Sequence, residues 1–274
     1  MESKIVFLDI DGTLCLDDGT TVPQSAIEAC RIARENNHKI FLCTGRSKPE
    51  IYEHITSLGF DGIIGAGGGF CEYANKEIFH KTFALDKIKE IVDYFEENKI
   101  PYYLESNEGL FSGAGCYEVI EKILCDELGL SKDHPFLNKL ITNQESLYRK
   151  DVNKICFIEN EVIKFEDIEE KFSLDFNIID TSIPTMSKKF GEISDKKIDK
   201  SKTIAYLLNY IGADIKDTIA IGDGMNDIGM IKNCKIGIAM GNGVQALKEV
   251  ADYVCKRNDE DGLYDVFKNY LRLI

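Results

Sequence analysis

Short, continuous apolar runs alternate with segments of helical period along the first part of this chain. Lys4 to Leu8 (KIVFL) is β-branched and aromatic without polar alternation, the pattern of a strand buried on both faces. In VPQSAIEACRIARENN, Ala26, Ala29, Cys30 and Ala33 fall at i, i+3, i+4 and i+7 and form one face of an amphipathic helix. A second apolar run, KIFLCT at 39 to 44, precedes GRSKPEIYEHITSLGF, read as helical, and a third strand in GIIGA. Alternating strand and helix predict a parallel sheet with crossover helices.

The period then changes. GFCEYANKEIFHKTF (69 to 83) reads as a hairpin around Ala74-Asn75-Lys76. Leu85, Ile88, Val92 and Phe95 mark one helix, and Val119, Ile120, Ile123 and Leu124 another. YYLES, KICFI and FNIID read as strands among them, with a further helix around Phe165, Ile168 and Phe172. From 200 the first pattern returns. Ile204, Leu207, Leu208 and Ile211 make a helical stripe that Gly212 ends, DTIAIGDG supplies a strand, KIGIAM a fifth parallel strand and ADYVC a sixth. The expected fold is α/β, a doubly wound parallel-sheet (Rossmann-like) core domain from residues 1–82 and 188–274, with an α+β cap domain inserted over residues 83–187.

In an open parallel sheet, ligands bind beyond the carboxyl ends of the strands. The first strand presents Asp9-Ile10-Asp11-Gly12-Thr13 there, the second Thr44-Gly45-Arg46, the third Gly67, Gly68 and Gly69, and the fourth Gly222-Asp223-Gly224-Met225-Asn226-Asp227. Asp9, Asp11, Asp223 and Asp227 thus converge on one edge. Crowded carboxylates raise one another's pKa, and a divalent cation relieves the conflict. Oxygen ligands without His or Cys point to Mg²⁺. Asp-Gly-Thr recurs at Asp18-Gly19-Thr20, but this copy follows no strand and is expected to be a solvated turn.

Composition narrows the partners. The net charge of −14 repels phosphate backbones and anionic membranes, yet admits a small phosphorylated substrate beside a cation. Nine cysteines without a Cys-x-x-Cys pair read as free, mostly buried thiols in a reducing compartment, and the four scattered histidines lack zinc-ligand spacing. The N-terminal apolar stretch is too brief for a signal peptide, so a cytoplasmic protein is expected, a monomer or weak homo-oligomer without nucleic-acid or membrane partners.

Together, Asp9-x-Asp11-Gly12-Thr13, Thr44-Gly45-Arg46, Lys200 and Gly222-Asp223-Gly224-Met225-Asn226-Asp227 resemble the four motifs of the haloacid dehalogenase superfamily of phosphatases. The insert between the second and third motifs resembles the cap of its Cof-type branch. This resemblance implies a Mg²⁺-dependent phosphatase that forms an aspartyl-phosphate and acts on a small phosphorylated metabolite. It casts Asp9 as nucleophile, Asp11 as acid and base, Thr44 as a phosphoryl hydrogen-bonding group and Lys200 (with Lys202 as runner-up) as the charge-neutralising lysine. Asp9, Asp223 and the Asp11 carbonyl would hold Mg²⁺, with Asp227 acting through water, while Gly12, Thr13, Gly45, Arg46 and Asn226 line the phosphate and substrate site. Where the family has Lys-Gly and Asn-Gly, this chain has Lys200-Ser201 and Gly67-Gly68. Sugar phosphomutase chemistry, or a non-hydrolysing metabolite or phospho-aspartate sensor, would use similar motifs.

Overall fold

Ile5–Leu8 forms the first strand, β1, with both faces shielded from water: Val6 and Leu8 enter one apolar cluster, Ile5 and Phe7 another. The computed structural model describes residues 2–113, 115–143, 147–181 and 187–274, so parts of the expected insert lie outside the described residues. The helix Gln24–Glu35 buries Ala26, Ala29, Cys30 and Ala33, as its period predicts. β2 (Lys39–Cys43) and β3 (Gly62–Gly65) follow in parallel, and the expected hairpin is β4 (Phe70–Tyr73) and β5 (Lys76–His80), added antiparallel at the edge.

The segment between β2 and β3 departs from the sequence reading. It contains only a 3₁₀ turn, Lys48–Glu50, and a short helix, Glu53–Thr56. Pro49 lacks the N–H that a continuing helix would use, and Ser47–Glu50 groups with the insert rather than with the core.

The insert has its own sheet of β6 (Tyr102–Ser106), β7 (Gly109–Ser112), β8 (Leu140–Ile141), β9 (Val152–Ile158), β10 (Phe176–Asp180) and β11 (Phe190–Asp195), in the order β10-β11-β9-β6-β7-β8. All neighbours are antiparallel except β7 and β8. The helices Leu85–Glu97 and Phe165–Phe172 pack Ile88, Val92, Phe95, Ile168 and Phe172 against Ile155 and Phe157. This unit comprises Ser47–Glu50 and Lys81–Lys197. The sequence reading ended it at residue 187, but β11 pairs with both β9 and β10 and so carries the following stretch into this sheet.

The other unit comprises Met1–Arg46, Ile51–His80 and Ile198–Ile274. Its last three strands, β12 (Thr218–Gly222), β13 (Ile236–Ala239) and β14 (Tyr253–Val254), complete an eight-stranded sheet in the order β14-β13-β12-β1-β2-β3-β4-β5. From β14 to β3 every pairing is parallel, and the sense of strand addition reverses between β1 and β12. That is the position at which such a sheet opens a crevice for a ligand. Among the described residues, no helix is long and apolar enough to cross a membrane.

Candidate active site

Asp9 leaves the end of β1 with its N–H donating to the Ile221 carbonyl at 3.0 Å, which sets it beside the end of β12. The chain then coils tightly through Ile10–Leu14, with Gly12 at φ +70°. A Cβ at Gly12 would lie 2.2 Å from Asp223 Oδ2, so a side chain here would collide with the carboxylate that β12 delivers. Thr13 donates its hydroxyl to Asp223 Oδ1 at 3.4 Å.

Lys200 enters as the first residue of the helix Lys200–Ile211, which Asp199 caps by accepting the N–H groups of Ser201 and Lys202. The Thr203 hydroxyl donates to the Gly68 carbonyl at 2.8 Å and ties this helix to the loop after β3. Only 2% exposed, Lys200 places Nζ 2.7 Å from Asp9 Oδ1 and 2.6 Å from Asp227 Oδ1. Asp227 is fully buried, and its Oδ2 accepts the N–H groups of Asp223 and Gly224 at 3.0 Å each. Lys202 is exposed, so the buried site lysine is Lys200.

The electrostatics follow from burial. Desolvation, reinforced by the Asp227 carboxylate, pushes Asp9 well above the usual carboxylate range, with Lys200 opposing the shift. Burial and Asp227 likewise push Asp223 up to about 7. Burial alone would lower Lys200, but the Asp227 and Asp9 carboxylates outweigh it and raise the ammonium. Asp9, Asp223 and Asp227 can bring one oxygen each within 4.8 Å of one another, and one ammonium faces these three carboxylates. This oxygen-only, charge-deficient set fits a hard divalent cation.

The other expected site residues lie on the same unit. Thr44 is buried, and its Oγ1 accepts the Arg46 N–H at 3.1 Å. Asn226 Nδ2 lies 3.5 Å from where a Cβ on Gly45 would sit, which places the β12 loop against the β2 loop. The Asp11 carboxylate stands apart from the acidic cluster: its side chain is 55% exposed and bound to Arg46. Only its main-chain carbonyl therefore remains for the cation role expected of Asp11. Cys15 is buried and its thiol pushed up to about 12 by desolvation, an unreactive neighbour.

The sequence reading missed Asn242 and Asn258, whose side chains reach the carbonyls of Gly12 and Cys15. The available signal was Gly241-Asn242-Gly243 just past the fifth parallel strand, an edge at which only four strands were searched.

Comparison with known proteins places this geometry. Residues 6–267 match the haloacid dehalogenase-like hydrolases. The chain is 26% identical to a phosphoglycolate phosphatase of Methanobrevibacter smithii over 99% of this chain and 100% of that protein. It is 24% identical to the 5-amino-6-(5-phospho-D-ribitylamino)uracil phosphatase YitU of Bacillus subtilis, covering 100% of both. The solved structure of the subclass IIB sugar phosphatase BT4131 superposes with a TM-score of 0.77 at 27% identity, over 99% of this chain and 100% of that one. With the acid cluster at the β1–β12 edge and a separate inserted sheet, the chain belongs to the haloacid dehalogenase-like hydrolase family and is an enzyme of the phosphoric monoester hydrolase kind.

Proposed function

We propose that this enzyme is a Mg²⁺-dependent phosphatase that hydrolyses a small phosphorylated metabolite, a sugar phosphate or phosphorylated cofactor, through an aspartyl-phosphate on Asp9. The observation that carries the reading is the buried Lys200 ammonium, which bridges Asp9 and Asp227 at 2.7 and 2.6 Å beside Asp223. Asp9, Asp223 and the Asp11 carbonyl would hold Mg²⁺, with Asp227 acting through water, and the ion would neutralise charge on the phosphoryl group.

An Asp9 oxygen attacks phosphorus while the bond from phosphorus to the leaving oxygen breaks, and Asp11, which must carry a proton in the substrate-bound enzyme, gives it to that oxygen. Asp11, now a carboxylate, takes a proton from water as the water oxygen attacks phosphorus, and the Asp9–phosphorus bond breaks to release inorganic phosphate. Lys200 favours the ionised Asp9 that the first step uses, against the burial that raises it, and balances charge as the group transfers. The Thr44 hydroxyl, Gly12, Thr13, Gly45, Arg46 and Asn226 surround the phosphoryl group and its ester. Nine free thiols, eight of them buried, support a reducing compartment such as the cytoplasm.

Phosphate release from a panel of sugar phosphates, nucleotides and phosphorylated cofactors tests the reading, with EDTA and Asp9→Asn as controls. Metal-dependent turnover that Asp9→Asn abolishes is expected. Turnover that survives in Asp9→Asn would remove the nucleophile, and phosphate transfer to sugar hydroxyls instead of water would indicate a mutase.

A further inference from the structure

Two asparagines far along the chain grip the loop that carries Asp11. Asn242 Nδ2 donates to the Gly12 carbonyl at 2.7 Å. Its Oδ1 accepts the Asn258 N–H at 3.1 Å, and Asn258, 4% exposed, donates its own Nδ2 to the Cys15 carbonyl at 3.0 Å. The loop between Asp9 and Cys15 is thus held at two carbonyls by one connected relay, within a single unit of the structure.

The relay is itself built into the backbone. The Gly241 N–H donates to the Lys256 carbonyl at 3.1 Å, and a Cβ at Gly241 would lie 2.8 Å from the Arg257 nitrogen and 2.9 Å from the Cys255 carbonyl oxygen. Glycine therefore permits the close approach that sets Asn242 against Asn258. Lys248 Nζ donates to the Gly241 carbonyl at 2.7 Å and pins the same turn. The side-chain hydrogen bonds of both asparagines go to this loop and to one another rather than to Asp9, Asp223 or Asp227, so their effect passes through the loop.

The Gly12–Thr13 peptide is planar, so the bond that fixes the Gly12 carbonyl also aims the Thr13 N–H to the opposite side. Gly12 follows Asp11 directly and passes the Asp223 carboxylate at close range. Rotation of this one peptide would displace Asp11, the Thr13 hydroxyl and the Gly12–Asp223 contact together. Small displacements of a reacting group matter: about 1 Å can reduce a rate on the order of 10²-fold.

We infer that Asn242 and Asn258 are positioning residues for phosphoryl transfer, a side-chain clamp that holds the Asp11-Gly12-Thr13 turn in the geometry the reaction requires. The inference rests on the proposed phosphatase reading for its rate consequences, but the clamp itself has a readout that needs no turnover.

The test compares wild type with Asn242→Ala, Asn242→Asp and Asn258→Ala. Asn242→Asp keeps an oxygen that can accept the Asn258 N–H and replaces the donor to Gly12 with a charged oxygen that repels that carbonyl. Amide exchange of a peptide spanning residues 9–15 should accelerate in all three variants while peptides from β13 stay protected. With p-nitrophenyl phosphate and Mg²⁺, kcat should fall about tenfold or more with KM changed less than about twofold. Inhibition by orthovanadate, a mimic of the five-coordinate phosphorus, should weaken in parallel with kcat. A general loss of folded protein would lower kcat without weakening vanadate, and that pattern would overturn the inference. Unchanged exchange in the 9–15 peptide of Asn242→Asp would overturn it as well, even if wild type hydrolysed no ester. Wild-type inactivity toward the whole substrate panel would instead count against the phosphatase reading.

Discussion

Arg46 holds Asp11 in a two-pronged grip: Nε lies 2.9 Å from Oδ2 and Nη2 lies 2.5 Å from Oδ1. The same Nη2 also donates to the Gly19 carbonyl at 2.5 Å, inside the second Asp-Gly-Thr copy. Asp18 folds that copy into a turn by accepting the N–H groups of Thr20 and Thr21 and the Thr21 hydroxyl. Although exposed, the turn therefore takes part in the site indirectly, by holding the guanidinium that orients Asp11. The sequence reading put Arg46 among the residues lining the phosphate and substrate site, and in this structure its fork is engaged with Asp11. Arg46→Ala should lower kcat about tenfold or more with little change in KM, and Arg46→Lys should recover only part, because an ammonium cannot reproduce the planar fork. A large rise in KM with kcat preserved would instead make Arg46 a substrate-binding residue.

Lys200 and Lys202 lie two residues apart in sequence and in opposite surroundings. Removing the buried Lys200 ammonium leaves the Asp9 and Asp227 carboxylates without their shared partner. Lys200→Ala should cost about 3–5 kcal/mol of stability and lower kcat on the order of 10²-fold or more. Lys202→Ala, at an exposed position, should stay within about 0.5 kcal/mol of wild type and keep its activity. Urea denaturation and steady-state kinetics on the pair decide the assignment, and equal activity losses in both variants would defeat it.

Cation binding can be read without turnover. Metal-stripped protein titrated with Mg²⁺ should gain thermal stability, about 2.7 kcal/mol once the free ion reaches a hundred times its Kd. Asp223→Asn should abolish the gain, since it removes one carboxylate of the cluster formed with Asp9 and Asp227. A melting temperature that Mg²⁺ leaves unmoved across the millimolar range would mean that these carboxylates hold no ion.

Much of this site is legible in the chain because most of its parts sit at the end of an apolar strand. Asp9 follows β1, Thr44 follows β2 and Asp223 follows β12, and periodicity alone finds those strands. The Asn242–Gly12 bond is illegible for the opposite reason: it joins residues 230 positions apart through a single amide, and no local period records such a contact. β11 escapes because FGEISD alternates half-buried and buried positions and carries acids at Glu192 and Asp195, so it lacks the apolar run that marked the other strands. The insert boundary was misplaced with it. Ser47–Glu50 reads as crossover helix by position, and only the fold reveals that Ser47 donates its hydroxyl to Glu105 in the insert.

That last contact belongs to a buried polar cluster whose charge responds to pH. Glu105 is fully buried on β6, where it accepts from the Ser47 hydroxyl, takes the Cys156 thiol at 2.8 Å and lies 3.2 Å from Lys154 Nζ. Lys154 also reaches Glu192 Oε1 at 3.1 Å. Desolvation, with the Glu50 and Glu192 carboxylates, pushes Glu105 from its ordinary 4.5 up to about 8, against the pull of Lys154 and the thiol. A carboxyl with a raised folded pKa binds more protons folded than unfolded between those two values. Its contribution is fully present below about pH 4.5 and is lost as the pH rises through about 8. Glu105→Gln carries a permanently neutral amide in the same space, so its stability should decline less between pH 5 and pH 9 than that of wild type. Urea midpoints across that range for the two proteins provide the measurement, and parallel curves would show that Glu105 is already ionised throughout it.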